Sequence, residues 1–303
     1  MTEGVTTTPK ALIELQRYVE KSHANPRSIK RKHGNRQSRL RGRGMDFAEV
    51  RHYQAGDEIR HMAWRTTART GKAHIKLYEE EKERPVTLMV DFNPTMFFGT
   101  KRAFKSVLAA NVAALAAWIS NQQKDRVGGI FFSGEHMKLH TPKARVESLL
   151  PMLHDLAAFT EHLQSHPNAK PKSLSHALKD LKRVLKPGGL LVIISDFYQL
   201  DDEAMTLLAR LRRHHDILAY HILDTLELHA PKKGIYPITD GEKHRFLHLK
   251  SKSAQSNFAE QLESWQTQIK QGFQKLNVPY HILTPESNWI KTLNMTYPRG
   301  HYG

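Results

Sequence analysis

Apolar residues fall along the chain in two patterns, short unbroken runs and longer stretches at helical spacing. Residues 86–90 (VTLMV) form one unbroken run that ends at Asp91, and residues 190–195 (LLVIIS) form a second that ends at Asp196. Runs of this length without polar alternation suit strands buried on both faces. The same reading predicts strands over 127–132 (VGGIFF), 217–223 and 280–283. Ser133 and Gly134 turn the first of these into a hairpin with 138–140. Helical spacing predicts helices over 10–21 (through Leu12, Leu15 and Val19), 103–119, 146–163, 174–185, 202–214 and 257–276. Pro187, Gly188 and Gly189 stop the 174–185 helix. Strands alternating with helices predict an α/β fold with a mostly parallel sheet covered on both faces. Ligands on such sheets sit beyond the carboxyl ends of the strands, where Asp91 and Asp196 fall.

Three segments depart from this alternation. Residues 22–44 carry Arg27, Lys30, Arg31, Lys32, Arg36, Arg39, Arg41 and Arg43 with no acidic residue between them. This run reads either as an arm that binds phosphate or acidic groups or as a solvated linker. Residues 45–83 are a block of their own. Residues 225–253, with Pro231, Gly234, Pro237 and Gly241, read as an irregular insertion containing a short hairpin. The organisation expected is therefore a short helix and basic arm (1–44), the block 45–83, an α/β domain (84–285) and a loosely structured tail (286–303).

Composition narrows the classes. Apolar residues are 39% of 303, enough for a substantial core. No apolar run approaches the ~20 residues that span a bilayer. The N-terminus has no stretch of signal-peptide type, so a cytoplasmic location is expected. The absence of cysteine excludes disulfides, thiolate metal sites and cysteine nucleophiles. A net charge of +16 attracts nucleic acid, acidic lipid or an acidic protein.

Candidate chemistry is sparse. In residues 91–95 (DFNPT), Asp91, Asn93 and Thr95 place oxygen atoms on alternate residues after a strand, and Asp196 adds a carboxylate. Mg²⁺ takes such hard ligands in near-octahedral geometry, while helix capping by Asn93 or Thr95 is the ordinary account of the pattern. Residues 53–69 mix ionic and aromatic groups. There Asp57 and Arg60 are spaced to pair, Trp64 is placed to bury its ring, and Thr70, Gly71 and Lys72 read as a hairpin turn. This block is a binding surface or an internal clamp. Residues 185–193 (LKPGGLLVI) are explained by a helix stop, a turn and a buried strand. The 19 histidines contain no HExxH pattern, and neither a GxSxG elbow nor a GxxxxGK[ST] loop occurs.

With these residues in view, the chain resembles the domain-of-unknown-function 58 family from about Gly42 to Thr284. The most specific part is residues 42–69, where Phe47, Glu49, Arg51, Tyr53, Gly56, Asp57, Arg60, Trp64, Ala68 and Arg69 fill the family pattern. Ala48 between Phe47 and Glu49, and Ala63 where an acid is expected, depart from it. Residues 79–83 resemble the acidic close of that block, and residues 224–227 (DTLE) a later family feature. The resemblance implies a von Willebrand A-like, doubly wound sheet with block 45–83 packed on it as strands or a hairpin. It also implies a metal-dependent adhesion-type site at Asp91, Asn93, Thr95 and Asp196. The threonine that such a site needs is replaced by Lys172, whose ammonium would pair with Asp91 in place of Mg²⁺; Ser173 and Ser175 are the neighbouring hydroxyls. The function implied is a non-enzymatic adaptor working with a MoxR-type AAA+ ATPase on a client protein, with no cofactor or with Mg²⁺. The alternatives are nucleic-acid binding through residues 27–43 and a metal-dependent hydrolase at Asp91 and Asp196.

Overall fold

The computed structural model describes residues 4–19, 45–54, 56–80, 83–134, 136–166, 170–182, 185, 187–228, 234–239, 244–249 and 251–298. In chain order its elements begin with α1 (Pro9–Glu14), β1 (Met45–His52), α2 (Trp64–Thr70), β2 (His74–Glu80), β3 (Pro85–Asp91), α3 (Lys105–Gln122) and β4 (Arg126–Ser133). There follow β5 (His136–Lys143), α4 (Leu149–Ser165), α5 (Leu174–Leu181), β6 (Leu190–Ser195), α6 (Asp202–Leu211), β7 (Asp216–Ile222) and α7 (Thr225–Leu228). The last are β8 (Gly234–Thr239), β9 (His244–Leu249), α8 (Lys252–Lys275), β10 (Tyr280–Leu283) and α9 (Trp289–Thr296). They divide into two compact units, Met1–Lys21 with Arg84–Gly300, and Ser22–Glu83 with His301–Gly303.

The larger unit is built on a six-stranded sheet in the order β10-β7-β6-β3-β4-β5, parallel except for the β4–β5 hairpin. Counted from β3, this is the doubly wound order 3-2-1-4-5-6, so the order reverses between β3 and β6. The von Willebrand A-like, mostly parallel α/β architecture expected from the sequence is present. Side chains alternate across the strands. Val86, Leu88, Val90, Leu190, Val192 and Ile194 pack on one face with α1, α3, α4 and α9. Met89, Leu191 and Ile193 pack on the other with α5, α6 and α8. Helix α3 is buried almost all round, which its run of alanine, valine and leucine permits.

Several boundaries shift from expectation. The first helix is only Pro9–Glu14, capped by the Thr8 hydroxyl and followed by a 3-10 turn over Leu15–Tyr18. The insertion holds the one-turn α7 and the β8–β9 hairpin. The expected loose tail contains α9, whose Leu293 is buried and is followed by the buried Tyr297. Its cap is Asn288, whose side chain accepts from the Lys291 amide.

The smaller unit pairs β1 with β2 antiparallel. The register shifts between Phe47 and Glu49, so the extra Ala48 is accommodated as a β-bulge. The Thr70-Gly71-Lys72 stretch ends a helix instead of turning a hairpin. Gly71 takes φ +68°, and its amide donates to the Thr67 carbonyl as a left-handed cap of α2.

Candidate functional site

The site lies at the point where strand order reverses, between the carboxyl ends of β3 and β6. These strands are parallel neighbours, with Val90 opposite Ile194, so Asp91 and Ser195 follow in step. Asp91 is buried, and both its oxygens are engaged: Oδ1 accepts from the Asn93 amide at 2.8 Å and Oδ2 from the Ser195 hydroxyl at 2.7 Å. The Ser195 oxygen in turn accepts from the Phe197 amide at 2.8 Å. Phe197 has φ +58°, a left-handed conformation that a bulky residue rarely adopts. Its buried ring packs on Phe273 and His221, which holds the turn in that shape. Backbone strain of this kind gathers at functional sites.

Asn93 is a clamp between segments. Its amide nitrogen donates to the Lys172 carbonyl at 2.9 Å, and its oxygen accepts from the Lys172 amide at 2.8 Å. The backbone just before α5 is thereby tied to the loop after β3. The Lys172 ammonium points elsewhere, donating to Asp180 at 3.0 Å. Lys172 is therefore not the group that replaces a metal beside Asp91.

The buried cation at this edge is Lys105, the first residue of α3. Its side chain is 1% exposed, and its Nζ donates to Asp196 at 2.9 Å and to Glu227 at 2.7 Å. The same nitrogen lies 5.1 Å from the Tyr198 ring centre and 5.9 Å from that of Phe98. Burial alone would lower the lysine's proton affinity, but Asp196 and Glu227 more than reverse this and hold it above the ordinary lysine value. Breaking a buried pair of this kind by removing one partner costs about 3–5 kcal/mol. Asp91 is pushed up to about 7, first by burial and then by the charge of Asp196.

Helix α7 closes the edge over this ammonium. Asp224, fully buried, accepts from the Thr100 amide at 3.0 Å and hydroxyl at 2.7 Å. Glu227 turns one oxygen to Lys105 and the other to the Asp224 amide at 2.8 Å. Gln266 of α8 donates to the Glu227 carbonyl at 2.6 Å. Outside the closure, Tyr198 is 41% exposed and stacks on Trp265, with centroids 4.5 Å apart and planes 15° apart. Trp265 also lines an open cleft of about 440 Å³ along α8, with Asn257, Glu260, Gln261, Ser264 and Gln268.

The donor set does not fit a divalent cation alongside this ammonium. Mg²⁺ requires oxygen ligands at about 2.0–2.1 Å in near-octahedral array. Asp91 and Asn93 have their acceptors committed within the protein, and Asp196 faces Lys105. The Thr95 hydroxyl is buried without a hydrogen-bond partner among the described residues. Among those residues, no group of three or more His, Cys, Asp or Glu is arranged to hold a metal.

Residues 49–268 match the family described as protein of unknown function DUF58. The chain belongs to the DUF58 family. An uncharacterized protein of Mycobacterium tuberculosis is 26% identical over 259 residues, covering 85% of this chain and 80% of that protein. Among solved structures, the conserved hypothetical protein BatB of Bacteroides thetaiotaomicron is 12% identical. It aligns over 70% of this chain and 96% of its own, at a TM-score of 0.42. An aerotolerance-related membrane protein of Bacteroides fragilis is 13% identical, over 70% and 97%, at 0.41. No helix among the described residues is long and apolar enough to cross a membrane.

The DUF58 signature block forms the smaller unit. Asp57 pairs with Arg51 in a two-pronged contact at 2.7 and 2.9 Å, not with Arg60. The flat guanidinium fork matches a carboxylate in a way that the three-residue spacing to Arg60 does not require. Asp57 also accepts from the Gln54 amide at 2.8 Å, which closes the turn in which Gly56 takes φ +105°. The Tyr53 amide donates to the Ala73 carbonyl and so extends the β1–β2 pairing. Trp64, expected to bury its ring, is 65% exposed at the start of α2, because the buried residue there is Ala63. Glu49 lies in β1, and Arg60 and Arg69 are exposed. Arg27, Lys30, Arg31, Lys32, Arg36, Arg39, Arg41 and Arg43 lie outside the described residues.

Sequence reasoning located Asp91, Asn93 and Asp196 but missed Lys105 and gave no role to Asp224 and Glu227. The available signal was a lone lysine at the head of an otherwise apolar helix. A charge there must find a partner once the helix is buried.

Proposed function

We propose that this DUF58 protein is a non-enzymatic adaptor that docks a MoxR-type AAA+ ATPase and helps present a client protein for maturation or remodelling. The observation that carries this is the closed edge between β3 and β6. Its carboxylates are neutralised or hydrogen-bonded from within, and what faces outward is the Tyr198–Trp265 aromatic pair beside the α8 cleft. A stacked aromatic pair of this kind, with Tyr198 exposed and Trp265 half-buried, suits an anchor for a protein interface. The family resemblance supports the choice of ATPase. A metal-dependent hydrolase at Asp91 and Asp196 finds no support in the geometry, since neither carboxylate is free to hold a metal or activate water.

The test is capture from nuclease-treated lysate, with and without ATP, using the intact chain and a Tyr198→Ala/Trp265→Ala variant. An AAA+ ATPase retained by the intact chain and lost from the variant supports the adaptor. Equal retention by both moves the interface elsewhere. Capture that disappears on nuclease treatment, with no ATPase found, replaces the adaptor by the nucleic-acid reading of residues 27–43.

A further inference from the structure

We propose that Lys105 is a built-in substitute for a divalent cation, so that this edge works without metal, and that removing its ammonium exposes a latent metal site. Nζ sits 2.9 Å from an Asp196 oxygen and 2.7 Å from a Glu227 oxygen. These carboxylates come from two different elements, β6 with its following turn and α7, and a positive charge between them is what joins the two. Oxygen-rich carboxylate sites suit Mg²⁺, Mn²⁺ and Ca²⁺. The distances found are a few tenths of an ångström beyond the 2.3–2.6 Å of calcium ligation, a contraction that side-chain rotation supplies.

The ammonium differs from a metal in one consequential way. A bound Mg²⁺ or Mn²⁺ keeps open positions that water or a partner's carboxylate fills. Here the lysine's remaining hydrogen faces the rings of Tyr198 and Phe98, and α7 covers the site from outside. No acidic side chain of a partner reaches the charge. The cation is internal cement that fixes α7 against α3, and recognition passes to the surface outside it. Two buried carboxylates, Asp196 and Glu227, hold this single ammonium, and the buried Asp91 adds its charge nearby. The hydroxyls of Thr95, after β3, and Ser106, next to Lys105, are buried without partners among the described residues. Two carboxylates that could meet a divalent ion are therefore retained, and the lysine holds its place. This holds whether or not the edge docks an ATPase.

The experiment uses the full chain in thermal denaturation and equilibrium dialysis with Mn²⁺ and Ca²⁺. The unsubstituted protein is expected to show no melting shift on EDTA treatment and no saturable binding that Asp196→Asn abolishes. Lys105→Ala is expected to melt lower and to recover with Mn²⁺ or Ca²⁺, rising by about 5 °C or more at a hundredfold excess over Kd. NaCl at matched ionic strength should not reproduce the rise, and adding Asp196→Asn should remove it. Because buried carboxylates without a cation threaten folding, Lys105→Ala/Glu227→Gln, purified with Mn²⁺ present, is run in parallel. The proposal is overturned if the unsubstituted chain binds Mn²⁺ through Asp196, if a rise survives Asp196→Asn, or if neither lysine variant gains stability from either ion.

Discussion

A carboxylate sealed from water beside a second carboxylate holds its proton more tightly, and Asp91 is such a group. Unfolded, it ionises near the ordinary aspartate value of about 4; folded, burial and the charge of Asp196 push it up to about 7. The folded state thus binds the extra proton between these two values, and stability falls as pH rises through that window. Each unit of the offset corresponds to about 1.4 kcal/mol. Asp91→Asn should therefore flatten the pH dependence, with its stability relative to the parent improving from pH 4 towards pH 7 in urea titrations. A parallel pair of curves would mean that Asp91 stays ionised throughout. Asp91 and Asp196 were legible in the sequence because each ends an apolar run, which fixes its place at a strand's carboxyl end. Lys105 was not, because its partners are distant in sequence, 91 residues away at Asp196 and 122 at Glu227. Lys172 attracted the metal-substitute role by alignment alone, while its ammonium found the closer Asp180, on the next turns of the same local segment.

At the scale of elements, strands and long helices were readable because their burial leaves a trace, and the six-stranded sheet matches the runs at 86–90, 127–132, 190–195, 217–223 and 280–283 with the hairpin partner at 138–140. Short elements leave too little trace. Helix α9 has eight residues, and among them Leu293 and Asn294 are buried. It reads as tail in the sequence, yet its Leu293 packs into the same cluster as α3. Just beyond it, the hydroxyls of Tyr297 and Ser120 hydrogen-bond at 2.6 Å. The Asn294 side chain also donates to the Tyr18 carbonyl at 3.0 Å and so ties the end of the unit to its beginning. Leu293→Ala should cost about 2–5 kcal/mol in denaturant titration. Met295→Ala, 74% exposed on the same helix, should stay within about 0.5 kcal/mol of the parent. Equal losses at both positions would mean that α9 contributes through its backbone and not by filling the core.

For the whole molecule, charge is distributed very unevenly along the chain. The eight cations from Arg27 to Arg43 have no acidic residue among them, so replacing all eight by glutamine takes the net charge from +16 to +8. A run of cations of this kind binds polyanions by releasing their counterions, and log affinity falls by about 0.9 per phosphate contact for each decade of salt on duplex DNA. The edge at Asp91, Asp196 and Lys105 draws on a different resource: buried, short-range pairs that salt screens little. The proposed docking and any attraction of this run for polyanions should therefore separate. The glutamine-substituted chain should elute from heparin at lower salt and show a shallower salt dependence for DNA, while its capture of an AAA+ ATPase and its pH profile at Asp91 stay unchanged. If heparin elution is unaltered, the attraction for anions resides in the other cations of the chain. Loss of ATPase capture together with DNA affinity would place the arm in the docking surface, and the partner would then need an acidic face to match it.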